Sequence, residues 1–241
     1  MKNIDLTILI PCRDEEEVIS KTLDILAEHL KNIIYEIIII DDFSGDKTYL
    51  IVDQYSKKNE KIKIFKNKNI GLGGAINLGI EKAIGNYLAI FMADLSDSPD
   101  DLIRYFNEIK YSELDAIFGS RFFRESKIKD YPKKKLILNR IFNNLIKYMF
   151  DSSFNDYTNA FKLYKRTSLE EIKPIVSENF NIFLELPLKI VSRGFKYKCI
   201  PISWSNRKGG EAKFRIKELG SKYLFTLIYV YLEKTLLKKK R

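Results

Sequence analysis

The order of apolar and polar residues predicts strands alternating with helices. Residues 6–11 (LTILIP) form a short continuous apolar run, as a buried strand does. Over residues 15–30, apolar side chains recur at Val18, Ile19, Leu23, Leu26, Ala27 and Leu30, which is a helical period. Residues 37–40 are four isoleucines followed by two aspartates, which predicts a second strand. The same reading gives a helix over 48–55, a strand over 62–65, a helix over 75–84 behind the turn Gly71-Leu72-Gly73-Gly74, and a strand over 87–93. Residues 99–110 are a helix with Pro99 at its first position, Asp100 and Asp101 in its first turn, and Ser98 placed to cap it. A strand over 116–119 follows. The second half is less regular. It predicts helices over 136–150 and 183–191, a strand over 160–164, a strand within 195–204, a Lys/Arg/Gly-rich loop over 206–213 and a long C-terminal helix.

Such alternation makes a mostly parallel sheet covered by helices on both faces, an α/β fold. Ligands of such sheets sit at the carboxyl ends of the strands. Here those ends read Pro11-Cys12-Arg13-Asp14-Glu15, Asp41-Asp42 and Ala93-Asp94-Leu95-Ser96-Asp97. Three acidic strand ends on one sheet edge repel unless a cation or a hydrogen-bond donor is shared between them. Mg²⁺ and Mn²⁺ take carboxylate and water oxygens and bridge to phosphate. Asp94 is the first candidate ligand, with Ser96 and Asp97 beside it. A lone Asp after a strand also serves as a cap or turn residue.

Composition narrows the classes. With 45% hydrophobic and 31% charged residues, the 241-residue chain is an ordinary globular sequence and not a disordered one. Cys12 and Cys199 are too few for a disulfide framework and fit a reducing compartment. His29 stands alone, which excludes a His-rich zinc site. No apolar run reaches the ~20 residues of a membrane-spanning helix, and the N-terminal apolar run stops at Pro11, unlike a signal peptide. Charge is divided unevenly. Residues 1–120 hold 14 Lys and Arg against 21 Asp and Glu, a net of −7; residues 121–241 hold 28 against 11, a net of +17. A basic half attracts nucleic acid, anionic lipid or phosphorylated substrates, unless its lysines are merely solvated. No nucleic-acid motif or aromatic–basic stacking array is present, which ranks nucleic acid last.

Further residues carry candidate chemistry. Gly71-Leu72-Gly73-Gly74 opens a helix, where glycines let a phosphate or a neighbouring strand approach closely. Arg121 after Gly119-Ser120 offers a forked guanidinium to phosphate. The loop from Arg207 to Lys213 suits closure over a pyrophosphate, or is a solvated surface loop. The C-terminal helix is rich in aromatics and ends in Lys238-Lys239-Lys240-Arg241. It suits a membrane interface, or packing on the domain. The expected organisation is a catalytic domain over 1–213 and this helix over 214–241.

Taken together, these segments resemble the inverting family-two glycosyltransferases of the GT-A (Rossmann-like) fold, and most of all the dolichyl/polyprenyl-phosphate mannose synthase-like group. Pro11 to Glu16 stands where that group has P-x-x-N-E, and Ile40 to Thr48 matches V-D-D-x-S-x-D-x-T. Gly71 to Ala75 matches G-L-x-x-A, and Ala93 to Pro99 matches A-D-L-x-x-x-P. Gly119-Ser120-Arg121 matches G-S-R, Thr158 to Lys162 resembles T-N-x-F-K, and Arg207 to Lys213 matches R-x-x-G-E-[S/A]-K. The likeness runs from about Leu6 to Lys213.

The resemblance implies roles. Pro11, Arg13, Glu15, Asp42, Gly71, Ala93, Asp94, Ser96, Arg207 and Lys213 would hold a nucleotide-diphosphate sugar. Asp94, with Ser96 and Asp97, would bind Mg²⁺ or Mn²⁺. Arg121 and Arg140 would contact the acceptor phosphate, and Asp94, Arg121 and Asp156 would serve catalysis, Asp156 as base for an alcohol acceptor. Met92 occupies the place of the first Asp of the family's DxD, Asp97 stands where the synthases often carry His, and Arg13-Asp14 replaces an aromatic-Asn pair. The expected activity is sugar transfer from GDP-mannose or a UDP-sugar to a polyprenyl phosphate, at the cytoplasmic membrane face. A partner subunit or interfacial binding would replace the spanning helices of some relatives. The rival readings are an enzyme elongating a surface polysaccharide or glycolipid, and a non-catalytic nucleotide-sugar-binding member.

Overall fold

The computed structural model describes residues 4–206 and 216–236. Strands β1 (Leu6–Cys12), β2 (Tyr35–Asp41), β3 (Ile62–Lys66) and β4 (Tyr87–Ile90) alternate with helices α1 (Ile19–His29), α2 (Thr48–Lys58) and α3 (Leu72–Lys82). Helix α4 (Pro99–Lys110) leads to β5 (Ala116–Ser120). After these come β6 (Lys127–Lys129), α5 (Lys133–Phe150), β7 (Lys162–Lys165), α6 (Arg166–Glu171), α7 (Ile182–Ser192), β8 (Tyr197–Pro201), β9 (Ser203–Ser205) and α8 (Ile216–Leu236). The main sheet has seven strands in the order β3-β2-β1-β4-β7-β5-β8. Its pairs are parallel except where β7 inserts antiparallel between β4 and β5. β6 and β9 form a separate two-stranded ribbon.

The all-apolar strands divide their side chains between two layers, because successive residues point to opposite faces. Ile37 and Ile39 of β2 pack with Leu23 and Leu26 of α1, Val52 of α2 and Leu102 of α4. Ile38 and Ile40 pack on the other face with Ile76 of α3 and Leu186 of α7. This is the expected mostly parallel sheet with helices on both faces. Helix α8 adds Tyr223, Leu227 and Val230 to the second layer. It is pinned to α7 and the turn before it by Tyr223 Oη on the Phe180 carbonyl (3.1 Å), Asn181 Nδ2 on Thr226 Oγ1 (2.9 Å) and the pairing of Lys189 and Arg193 with Glu233. So the C-terminal helix packs on the domain along one face.

The structure corrects several expected boundaries. α1 begins at Ile19 and not at Glu15, because residues 15–18 form a turn in which the Glu15 and Glu16 amides bind Thr48 and Asp46 and the Val18 amide closes on the Glu15 carbonyl. β4 ends at Ile90, and the backbone from 92 to 98 is irregular apart from a single bridge from Asp97 to Trp204. Ser98 makes no side-chain cap bond; Pro99 and the acids Asp100 and Asp101 mark the helix start instead. β6 and α6 were not expected. The first is three residues of polar character and the second six residues without an apolar period.

Candidate active site

The parallel order β2-β1-β4 brings the carboxyl ends of these strands side by side. Much of the acidity there binds backbone. The Asp14 amide donates to Ser44 Oγ (3.0 Å), and the Gly45 amide donates to Asp14 Oδ1 (2.7 Å). The Glu16 amide reaches Asp46 Oδ2 (3.1 Å), and the Lys47 amide reaches Glu16 Oε2 (2.8 Å). The Glu15 amide donates to Thr48 Oγ1 (2.8 Å). These bonds stitch the β1 and β2 loops into one edge. Burial works against the Asp46 charge, but the donors from Thr48 and Glu16 hold its carboxyl below the usual range. Pro11 is buried in β1 opposite Ile40, whereas Arg13 is exposed beside Asp14.

Asp42 is fixed within this edge. Its Oδ1 accepts from Asn67 Nδ2 (2.7 Å) and from the Gly71 amide (2.8 Å). The Gly71 amide is thus taken by protein. The glycines also serve packing. A Cβ on Gly71, whose φ is +128°, would lie 2.5 Å from the Glu178 carbonyl, and one on Gly73 would lie 2.1 Å from that of Ser177. The tight-packing alternative therefore describes this turn, and Gly71 acts on the site through Asp42.

Beyond β4, the buried Ala93 accepts from Thr22 Oγ1 through its carbonyl (2.5 Å). Asp94 is half-buried, and its Oδ1 accepts the Ser96 amide (3.0 Å). Asp97 is 2% exposed and its Oδ1 has no hydrogen-bond partner. Desolvation, then the Asp94 charge, pushes its carboxyl up to about 8. An orphaned buried carboxylate oxygen beside a second carboxylate fits a divalent cation. No cluster of three or more His, Cys, Asp or Glu suited to a metal exists among the described residues. The remaining ligands would then be diphosphate and water, as Mg²⁺ accepts readily. The β6–β9 ribbon closes this side: Trp204 bridges to Asp97, and the Ser205 amide donates to the Ser96 carbonyl (3.0 Å).

Arg121 follows β5 and is locked in place. Its Nε and amide donate to Asp156 Oδ2 (2.8 and 2.9 Å), and its Nη2 donates to Asp156 Oδ1 (2.7 Å). Nη2 also reaches Thr158 Oγ1 (3.3 Å), and Nη1 reaches Tyr131 Oη (3.4 Å). Burial opposes the guanidinium charge, but Asp156 outweighs it and the pKa is raised. Asp156 is fully buried with both oxygens on Arg121. Beside its expected role as a base, this geometry suits holding Arg121 in place. Arg140 is exposed on α5, and its guanidinium stands 5.5 Å from the centre of the Phe122 ring, which Arg121 also meets at 5.6 Å. One ring thus gathers both arginines.

Sequence reasoning missed three supports of the site. Asn67 holds Asp42, and Tyr131 lies between Arg121 and Trp204. Lys162, in the motif over 158–162, is buried with Nζ donating to the carbonyls of Tyr157 (3.1 Å), Asn159 and Phe183 (3.3 Å). Desolvation lowers Lys162 to about 7, partly offset by Asp156. Only Lys162 carried a sequence signal, a charge inside an apolar strand. Arg207 and Lys213 lie outside the described residues.

Comparison with known proteins gives the family and the fold. Residues 7–173 match the family model described as Glycosyl transferase family 2. The chain is 25% identical over 207 residues to glycosyltransferase AglD of Haloferax volcanii, covering 83% of this chain and 33% of that protein. It is 25% identical over 218 residues to a dolichol-phosphate mannosyltransferase of Pyrococcus furiosus, covering 89% and 60%. A polyprenol monophosphomannose synthase of Mycolicibacterium smegmatis is 23% identical over 201 residues, covering 76% of each. The chain thus spans a third of the first relative's length and 60% of the second's. Glucosyl-3-phosphoglycerate synthase of Mycobacterium tuberculosis, solved with Mn²⁺, UDP and phosphoglyceric acid, superposes with a TM-score of 0.73 at 12% identity, covering 95% of this chain and 78% of that one, a likeness of fold.

Proposed function

Because the chain belongs to glycosyl transferase family 2, we propose that it is an inverting glycosyltransferase moving a sugar from a nucleoside-diphosphate sugar to a polyprenyl phosphate. The observation that carries the acceptor class is the pair Arg121 and Arg140 on one aromatic ring, with the charge of Arg121 felt at the Asp97 carboxylate. Cations together with candidate metal-ligating acids suit a reaction between two phosphorylated partners. The relatives named for mannose transfer to dolichol or polyprenol phosphate support the same acceptor.

Asp42, steadied by Asn67 and the Gly71 amide, would hold the nucleoside, with Pro11, Arg13 and Glu15 along the same edge. Asp94 and Asp97, with Ser96 behind them, would hold Mg²⁺ or Mn²⁺, which when bound neutralises charge on the departing diphosphate. Arg121 and Arg140 would grip the acceptor phosphate, and Asp156 positions Arg121. The phosphate oxygen bonds to the anomeric carbon from the face opposite the diphosphate. The C–O bond to the diphosphate breaks, and its electron pair leaves with the nucleotide. A phosphate monoester is already anionic near neutral pH, so no side chain has to take its proton. Among the described residues no helix is long and apolar enough to cross a membrane. A partner subunit or interfacial binding would suit anchoring at the cytoplasmic membrane face.

The test is transfer to a short polyprenyl phosphate across a panel of nucleotide sugars, with Mg²⁺ or Mn²⁺ and with Asp94→Asn beside the wild type. The reading expects metal-dependent transfer that falls by about a hundredfold in the variant. Transfer only to glycan hydroxyls would assign polysaccharide or glycolipid elongation instead. Nucleotide-sugar binding without transfer to any acceptor would assign a non-catalytic member.

A further inference from the structure

Two helices at the acceptor side expose apolar stripes. On α5 the stripe is Ile137, Leu138, Ile141, Leu145 and Tyr148, of which Ile141 is 63% and Tyr148 88% exposed. On α8 it is Leu224, Phe225, Ile228, Leu232 and Leu236, of which Phe225 is 61% and Leu236 78% exposed. Elsewhere among the described residues, exposed large apolar side chains are scattered along separate elements, such as Ile34, Leu50 and Ile84.

The two stripes face the same way. Phe142 meets Tyr223 with ring centres 6.2 Å apart, and Phe150 meets Tyr231 at 5.9 Å. The paired residues advance together along both helices, so α5 and α8 lie side by side and run in one direction. Lys234 Nζ fastens the far end to the Phe150 carbonyl (2.9 Å). At about 100° per residue, both stripes turn away from the core on the same side of the plane containing the two axes. Their buried sides are Asn143 and Ile146 on α5, and Thr226 and Val230 on α8.

We propose that these stripes form one platform that seats the protein on an anionic lipid bilayer. Charge selects this occupant. α5 carries Lys133, Lys134, Lys135, Arg140 and Lys147 and no acid, and residues 216–241 hold seven Lys and Arg against two Glu. Glu233, one of those two, is turned inward to Lys189 and Arg193. An apolar face on helices rich in cations and aromatic residues matches the boundary between acidic headgroups and acyl chains. A second copy across a two-fold axis would set this basic surface against itself. Arg140 lies on α5 between Ile137 and Ile141, so a lipid phosphate bound there would have its chain against the platform. That last point rests on the reaction proposed above; the platform does not.

The test is flotation of the purified full chain with vesicles of phosphatidylcholine, with and without phosphatidylglycerol. The inference expects binding that rises with phosphatidylglycerol and weakens with salt. The double variant Ile141→Asp/Ile228→Asp should lose about tenfold or more in partitioning. Leu50→Asp, on α2, should float as the wild type does, and circular dichroism melts confirm that each variant is folded. A folded double variant that floats like the wild type overturns the proposal. So does a concentration-dependent dimer abolished by the double variant, which would give the platform to a second copy. Flotation needs no sugar donor or acceptor. Vesicle binding without sugar transfer would therefore keep the platform and reject the reaction, and transfer without vesicle binding would do the reverse.

Discussion

Arg121 presents a fixed charge because both carboxylate oxygens of Asp156 accept from its fork. Removing the Asp156 charge leaves a buried guanidinium unpaired, which costs about 3 kcal/mol in comparable pairs. Asp156→Asn should therefore lower stability in urea by about that amount and reduce kcat. A variant that keeps its full stability while losing activity would instead assign Asp156 to the reaction itself. Lys162 gives a separate test. Its folded pKa of about 7 lies below the ordinary 10.5, so between these values the unfolded chain binds more protons than the folded one. Stability should then rise with pH between about 7 and 10, by up to ~1 kcal/mol per unit. Urea midpoints over that range should climb in the wild type and flatten in Lys162→Met. Equal slopes in both would assign the pH dependence elsewhere.

At the scale of elements, the α3 turn shows why a motif and its use can differ. Gly71-Leu72-Gly73 reads equally as a phosphate cradle or a packing device, because the distant backbone of 177–178 that fills its concavity leaves no mark near it in the sequence. Gly73→Ala should cost about 2 kcal/mol or more by overpacking. Gly220→Ala, in α8 with nothing near its added Cβ, should instead stabilise by up to ~1 kcal/mol, since alanine is the better helix former. Opposite shifts in thermal midpoint check the pair. Elements with a long apolar period, such as α4 and β2, were legible to within a residue or two. β6 and α6 were not, because three and six residues cannot display a period. In the site, Asp94, Asp97 and Arg121 were readable as charges at strand ends or in a motif, and Arg140 only through the family resemblance. Their supports were not: Asn67 is a polar residue in a loop whose partner Asp42 is set only by tertiary contact.

For the whole molecule, the proposed cation site would be incomplete without substrate, since among the described residues no group of three or more His, Cys, Asp or Glu could hold the ion. Thermal midpoints should therefore rise more with Mn²⁺ and a nucleoside diphosphate together than the two separate shifts combined. Simple additivity would contradict a shared coordination shell. The antiparallel β7 has a consequence for synthesis. Ile90 of β4 pairs with Lys162, and Phe118 of β5 pairs with that same residue from the other side. While the ribosome makes the chain, β3-β2-β1-β4 can zip as soon as it emerges, but its β4 margin stays open and sticky. β5 waits with no place in the sheet until residues 162–165 arrive to join the halves. Nascent chains stalled before β7 should be those that chaperones hold longest, and the centre of the finished sheet is among the last parts to be laid down.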